Sequence, residues 1–268
     1  MSNYRDDPDL LHLLTEASVE DLAILIDIVT DSGKGRVSLN NDSLVKLVEE
    51  RDAPSPEARM LLAAEIQQFG GNSLASLFRG GKGVPYHEIA CDVASHVDAS
   101  HNDRQDTAQI ENAILLKIVE KSLDRMSEAE KKEFFSQFDI SYQGVGPAAM
   151  AALMAAVRAS GFAFYKMSVI VAQATAKALL GRGLTFAATG SLMRGLSVVT
   201  GPIGWAITTI WTVFDLASPA YRVTVPCVIQ LAYMRQKMLV SGCPGCSEPV
   251  AKGSKFCAAC GHKLAWGE

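Results

Sequence analysis

Residues 107–137, which read TAQIENAILLKIVEKSLDRMSEAEKKEFFSQ, decide the fold class of this chain. Apolar side chains recur in this stretch at steps of three and four residues, the spacing that places them on one face of a helix. They are Ile110, Ile114, Leu115, Ile118, Leu123, Met126, Phe134 and Phe135. Ser127 followed by Glu130 has the form of a capping box, so a second helix can begin there. The stretch predicts one long helix or two consecutive helices.

The same periodicity extends outward from this stretch. Residues 8–31 predict two helices that meet near Ser18, because Ser18 and Asp21 resemble another capping box. Further helices are expected over residues 44–50, 57–69 and 86–97. Gly70-Gly71 predicts the end of the 57–69 helix, with glycine in the left-handed C-terminal position. Since no stretch before residue 140 has the period of a strand, the sequence predicts a mainly α fold with a multi-helix body.

Charge divides the chain into three parts. Residues 1–143 carry 14 Lys and Arg against 26 Asp and Glu, whereas residues 144–240 carry 8 against one and are rich in Gly and Ala. We therefore expect an acidic helical domain over 1–143, an apolar, basic helical domain over 144–240, and a zinc ribbon over 241–268. Opposite charges predict attraction between the first two parts, and an anionic partner such as a lipid surface is the alternative.

The basic part contains a long apolar stretch. Gly195 to Phe214 are 20 uncharged residues, the length of a candidate transmembrane helix, but Gly201-Pro202 interrupts them. A buried hairpin of helices with small residues at their contacts is the favoured interpretation, and membrane insertion is the alternative. The N-terminal residues lack the apolar core of a signal peptide. We therefore expect a cytoplasmic protein, with a peripheral or inserted position at the inner membrane under the alternative.

Four cysteines at the end of the chain form the strongest motif. Cys243-Pro-Gly-Cys246 and Cys257-Ala-Ala-Cys260 are separated by ten residues. Two such turns supply the four thiolates of a closed, structural zinc site, and a segment this short depends on its metal to fold. A pair of redox motifs is the alternative, which the lack of a thioredoxin-like context disfavours. The sequence thus predicts one structural Zn²⁺, with His262 as a bystander.

Other candidate residues carry weaker patterns. His87 and Cys91 lie four residues apart on a predicted helix, with His96 and His101 beyond; scattered surface histidines explain them better than a second metal site. Asp215 is the one acid of the basic part, and we expect it to form a buried pair with Arg222; a catalytic acid is the alternative. Phosphate-loop, nucleophile-elbow and zinc-protease motifs are missing, so no catalytic residue is assigned.

Three stretches resemble the YaaW-like (UPF0174-type) family of bacterial proteins: residues 64–74 (AEIQQFGGNSL), 201–205 (GPIGW) and 220–232 (AYRVTVPCVIQLA). The resemblance runs to about residue 237, and the tail separately resembles the zinc ribbons that end many bacterial proteins. Part of the YaaW-like family has been grouped with ubiquinol–cytochrome c chaperones, which are helical assembly factors. The resemblance implies one helical unit and no reaction.

These patterns favour a non-enzymatic interaction or assembly protein with a protein partner and a structural zinc ribbon. The alternative is a membrane-active effector that inserts residues 144–215. Nucleic-acid binding through the ribbon is a third hypothesis, which the acidic body and the scarcity of basic–aromatic clusters disfavour.

Overall fold

A computed structural model of the chain describes residues 4–36, 39–71, 83–138, 140, 144, 147–159, 161–181, 201–206 and 220–265. The described residues form a mainly α fold with a small two-stranded sheet at the C-terminus, as the sequence predicts. The helices are α1 (Pro8–Glu16), α2 (Val19–Thr30), α3 (Asn41–Glu49), α4 (Pro56–Gly71), α5 (Tyr86–His96), α6 (Thr107–Leu123), α7 (Glu128–Ser136), α8 (Pro147–Ala159), α9 (Gly161–Leu180) and α10 (Tyr221–Met238). The strands are β1 (Val240–Gly242) and β2 (Pro249–Ala251), and residues 201–206 are helical.

Both predicted capping boxes begin a helix. The Ser18 hydroxyl accepts the Asp21 backbone N–H and donates to the Asp21 carboxylate at 2.8 Å, so α2 starts one turn after α1 ends. Ser127 and Glu130 form a reciprocal capping box at the start of α7. The stretch that opens at residue 107 is therefore two helices, α6 and α7, because the cap satisfies the N–H groups that a continuous helix would bond internally.

The predicted end of α4 is two residues too early, and the reason given for Gly70 is wrong. Gly70 lies within the helix and its φ is not positive. A Cβ built on Gly70 would stand 2.7 Å from Ile89 Cδ1 and 3.0 Å from Val84 Cγ2. Gly70 thus allows α4 and α5 to approach closely, which is a requirement of packing and not of backbone conformation.

Helix α10 lies at the centre of the helical body. Each residue from Val223 to Met234 is buried, as expected of a helix surrounded by others. Helices α1, α2, α4, α5, α6 and α9 all contact it. One hydrophobic core takes side chains from every helix between α1 and α10 and includes Ile203. The division of this body into domains over 1–143 and 144–240 stays a prediction.

The sheet that follows α10 belongs to a separate, much smaller cluster. β1 and β2 pair antiparallel, with Ser241 opposite Val250. The buried side chains of this cluster are Cys243, Val250, Cys257 and Leu264. In the part of the chain that the structure describes, no helix has both the length and the apolar character needed to span a bilayer. Most of the predicted apolar stretch from 195 to 214 lies outside that part.

Candidate metal centre

The first Cys-x-x-Cys turn follows directly from β1. The backbone N–H of Cys243 donates to the Glu248 carbonyl at 2.8 Å, and the Ser247 N–H donates to the Cys243 carbonyl at 2.8 Å. The Gly245 N–H points at Cys243 Sγ, 3.3 Å away. These bonds close a tight turn that presents both sulfur atoms to one side.

The second Cys-x-x-Cys turn repeats the first. The Cys257 N–H donates to the His262 carbonyl and the Gly261 N–H donates to the Cys257 carbonyl, both at 2.9 Å. Gly261 has a φ of +72°, a conformation that glycine adopts without strain. An isolated bridge between Phe256 and Lys263 closes the base of the turn. The local sequence of each turn therefore fixes the direction of its own cysteines.

The two turns face each other and bring four sulfur atoms together. Cys243 Sγ lies 3.7 Å from Cys260 Sγ, and Cys246 Sγ lies 3.7 Å from Cys257 Sγ. All four sulfurs are within 4.8 Å of one another. A disulfide would require roughly 2.05 Å, whereas tetrahedral Zn–S bonds of roughly 2.3 Å imply S···S distances of roughly 3.8 Å. The cluster can hold a metal ion, and its dimensions are those of a four-thiolate shell.

Electrostatics favour a thiolate at one cysteine of this cluster and disfavour it at two others. A backbone N–H lowers the pKa of Cys246 and of Cys260, but burial and hydrogen bonds with the other sulfurs outweigh it and raise both pKa values. The backbone N–H of Cys260 is the main cause that lowers the pKa of the Cys257 thiol, to about 7. Cys243 and Cys257 are buried, whereas Cys260 is exposed. His262 does not belong to the sulfur group; its side chain packs over Gly245 instead. The set of donors therefore consists of sulfur alone.

Two other predicted sites have different outcomes. Arg222 is exposed in the first turn of α10, and Asp215 lies outside the described residues, so their buried pair stays a prediction. Of the four residues around the possible second metal site, Cys91 and His101 come together with Asp103. His96 points elsewhere and stacks on Tyr221, with ring centroids 3.7 Å apart.

A buried ionic network escaped the sequence analysis. Arg235 of α10 bonds Glu111 of α6 through Nε at 2.7 Å, and it bonds both carboxylate oxygens of Asp9 of α1 at 2.7 Å. The Tyr86 hydroxyl donates to Glu111 Oε1 at 2.7 Å. Glu111 is fully buried. It shares the apolar face of α6 with Ile110 and Ile114, and a carboxylate on such a face was the available signal.

Burial and the ionic bonds of this network shift the pKa values of its members. Burial is the main cause that raises the pKa of Glu111, and the bonds from Arg235 and Tyr86 oppose it. Arg235 is held protonated, since the Asp9 and Glu111 carboxylates outweigh its desolvation and raise its pKa. Lys237, two residues on, pairs with Asp21 at 2.7 Å. These bonds join the basic part to the acidic part of the chain, as the charge pattern predicts.

A groove separates the ribbon from the helical body. It has a volume of about 500 Å³ and lies between Phe162 and Lys166 of α9 on one side and β2 on the other. Phe256, which precedes the second turn, lines the groove and is 59% exposed. Aromatic side chains are enriched in protein interfaces relative to the rest of the surface.

The fold and the site thus define a class: a helical protein whose C-terminal tail carries a cluster of four cysteines that can hold a metal ion. Comparison with known proteins defines the family. Residues 58–229 match the model of the family described as ubiquinol–cytochrome C chaperone, and this match ends before the four cysteines.

Full-length relatives agree with this match. A UPF0174 protein of Helicobacter pylori strain J99 is 38% identical over 238 residues, which cover 87% of this chain and 93% of the relative. The UPF0174 protein YaaW of Escherichia coli strain K12 is 29% identical over 241 residues, 87% of this chain and 96% of the relative. No solved structure matches. The chain belongs to the UPF0174 family and to the family whose model it matches.

Proposed function

We propose that this protein is a non-enzymatic, chaperone-like assembly factor that acts in the cytoplasm on a protein partner. The observation that carries the proposal is the family match over residues 58–229, which spans α4 to α10 and thus most of the helical body. The matching family is described as a chaperone of ubiquinol–cytochrome C. A chaperone of this kind needs a binding surface and no catalytic group.

Exposed apolar side chains support a protein partner. Val45 and Val48 are one turn apart on α3 and are 51% and 40% exposed, and Trp205 is 69% exposed. Together with Phe256 beside the ribbon groove, they are solvent-exposed apolar side chains. Aromatic residues of this type dominate the binding energy of protein interfaces.

The metal in this proposal is one structural Zn²⁺. Four thiolates complete a tetrahedral shell, and a closed shell has no open position for a substrate or an activated water. Cys243, Cys246, Cys257 and Cys260 would hold the ion, which supplies the folding free energy of the ribbon when bound. The ribbon would then present Phe256 as a rigid contact for the partner.

A deletion strain tests the assembly role. Loss of an assembly factor should lower the amount of one assembled complex, measured by quantitative native gel electrophoresis, while the partner transcript is unchanged. In a host with a ubiquinol–cytochrome c complex, that complex is measured first. Reintroduction of the Phe256→Ala variant should restore less of the complex than wild type, and Met60→Ala, with a side chain that is also exposed, serves as the matched control. Unchanged levels of every complex would contradict the proposal.

Association with a membrane surface is the second candidate. The excess of Lys and Arg over residues 144–240 and the exposed Trp205 are the observations that favour it, since basic residues and interfacial Trp are attracted to anionic bilayers. Flotation with anionic liposomes at low salt tests it. Protein that remains at the bottom of the gradient would exclude both surface binding and insertion.

A further inference from the structure

A second group of side chains that can bind a metal lies on helix α5 and on the loop that follows it. Cys91 is on α5, one turn after His87, so both side chains lie on the same face. The connection from α5 to α6 folds back and places His101 and Asp103 beside them. The ligand atoms of Cys91, His101 and Asp103 are all within 4.8 Å of one another.

His101 is oriented as a metal ligand would be. Its Nδ1 lies 3.1 Å from the Ala99 carbonyl, and a carbonyl can only accept, so Nδ1 carries the proton. The lone pair of Nε2 is thereby directed to the other side of the ring, where Asp103 Oδ1 lies 3.6 Å away. A backbone carbonyl that binds one ring nitrogen while the other faces the metal is the usual second-shell arrangement of a ligating histidine.

His87 holds the loop over Cys91. Its Nε2 lies 3.0 Å from the Asp103 carbonyl, so this nitrogen donates, and its Nδ1 accepts from the Thr107 hydroxyl at 3.2 Å. The same Nε2 lies 3.7 Å from Cys91 Sγ. His87 therefore positions Asp103 beside the thiol without being needed as a ligand.

We propose that Cys91, His101 and Asp103 form a second metal site, specific for a divalent transition metal such as Zn²⁺. The donors are one thiolate, one imidazole and one carboxylate, a set that zinc accepts and that Mg²⁺ and Ca²⁺, which require oxygen, do not. Three protein donors leave a fourth position for water. Bound metal would tie the loop between α5 and α6 to α5.

The charges around Cys91 fit a cation. The carboxylates of Asp103 and Asp92 lie near the Cys91 thiol and would repel its thiolate in the metal-free protein. A divalent cation replaces this repulsion by attraction, and it releases the thiol proton on binding. The side chain of His101 is 13% exposed and that of Asp103 is 85% exposed, so a metal ion can enter from solvent.

Metal content of the purified full-length chain tests the site independently of the ribbon. After equilibration with excess Zn²⁺ and gel filtration, elemental analysis should find about two zinc ions per wild-type chain if both sites fill, and about one in Cys91→Ser, His101→Gln and Cys257→Ser. Cys227→Ala, which removes a buried thiol of α10, and His96→Gln, on α5 but outside the group, should match wild type. Circular dichroism confirms that each variant is folded.

Cobalt provides a second readout. In the Cys257→Ser background, Co²⁺ should give a thiolate-to-metal absorption band that a further Cys91→Ser substitution abolishes and that His96→Gln leaves unchanged. Equal zinc content in wild type, Cys91→Ser and His101→Gln, together with a cobalt band that does not depend on Cys91, would overturn the proposal. Failure of the ribbon site has another signature: Cys257→Ser would then bind as much zinc as wild type.

Discussion

The helical body and the C-terminal ribbon obtain their stability in different ways. In the part of the chain that the structure describes, the body buries side chains from α10 and the nine helices α1 to α9 in one core. The ribbon, over residues 239–265, has five buried residues, and two of them are Cys243 and Cys257. A core of that size does not offset the conformational entropy of its own chain, so we expect the ribbon to need a metal cross-link. Apolar burial suffices for the body, and the proposed structural metal would supply the stability of the ribbon.

The largest effect on stability is expected from the removal of one cysteine, and it should be confined to the ribbon. Cys257→Ser should lose about one zinc per chain and unfold the ribbon, because the metal contributes on the order of 10 kcal/mol to the folding of such modules. Hydrogen exchange should show loss of protection over β1 and β2 only, while the thermal unfolding of the helical signal stays within a few degrees of wild type.

Cys227→Ala is the control for that experiment. It removes a thiol that is buried in α10, so it should lower the stability of the body and leave the protection of the ribbon intact. If Cys257→Ser instead abolished the helical signal, the ribbon would be shown to support the body through Val240, which packs against the main core.

The second largest effect is expected at the ionic network of the body. Arg235→Met removes the partner of Glu111, which then remains buried without a compensating charge. Breaking a buried pair from one side costs about 3–5 kcal/mol. Urea unfolding of the helical signal measures the loss, and zinc content should not change. Glu111→Gln keeps a partner for Tyr86 and should cost less than Arg235→Met.

The pH dependence of the stability of Arg235→Met tests whether the buried charge of Glu111 causes the loss of stability. Because burial raises the pKa of Glu111, the folded state binds its proton more tightly than the unfolded chain does, where the pKa is about 4.3. Stability from this group therefore falls as the pH rises from the unfolded towards the folded pKa. Without Arg235, the pKa of Glu111 in the folded state should rise further. The difference in unfolding free energy from wild type should thus be smaller at about pH 5 than at about pH 8, and a constant difference would contradict the assignment.

A smaller effect is expected where two helices of the body touch. Gly70→Ala adds a methyl group that must displace Ile89 and Val84, and overpacking of this kind costs about 1–3 kcal/mol. The midpoint of urea unfolding should fall accordingly. Gly201→Ala, where no described residue comes within 4 Å of the added Cβ, is the matched control and should not lower it. Equal midpoints for the two variants would show that α4 can move away from α5 at no cost.

The smallest effect is expected at the cap of α7. Ser127→Ala removes the side chain that accepts the Glu130 N–H, and it should destabilise the body by about 1 kcal/mol. Ser127→Thr retains the hydroxyl and should recover most of this loss. A wild-type unfolding free energy in Ser127→Ala would mean that α7 frays without affecting the core, although Phe134 and Phe135 are buried in it.

The sequence by itself determined the features that depend on near neighbours in the chain. Helical periodicity located α1, α2, α4, α5, α6 and α7, and the serines at 18 and 127 marked helix starts, because an N-cap bonds backbone groups two or three residues away. The cysteine spacing likewise predicted two knuckles that face each other, since each turn carries both of its own ligands.

Only the tertiary structure decided the contacts between distant residues. Arg235 meets Glu111 across 124 positions of the chain, Gly70 is required by the side chain of Ile89, and Asp103 joins Cys91 through a loop. Periodicity shows which face of a helix is buried but not which helix covers it. That choice depends on how the described helices fill one core together, and it brought Cys91, His101 and Asp103 within reach of one ion.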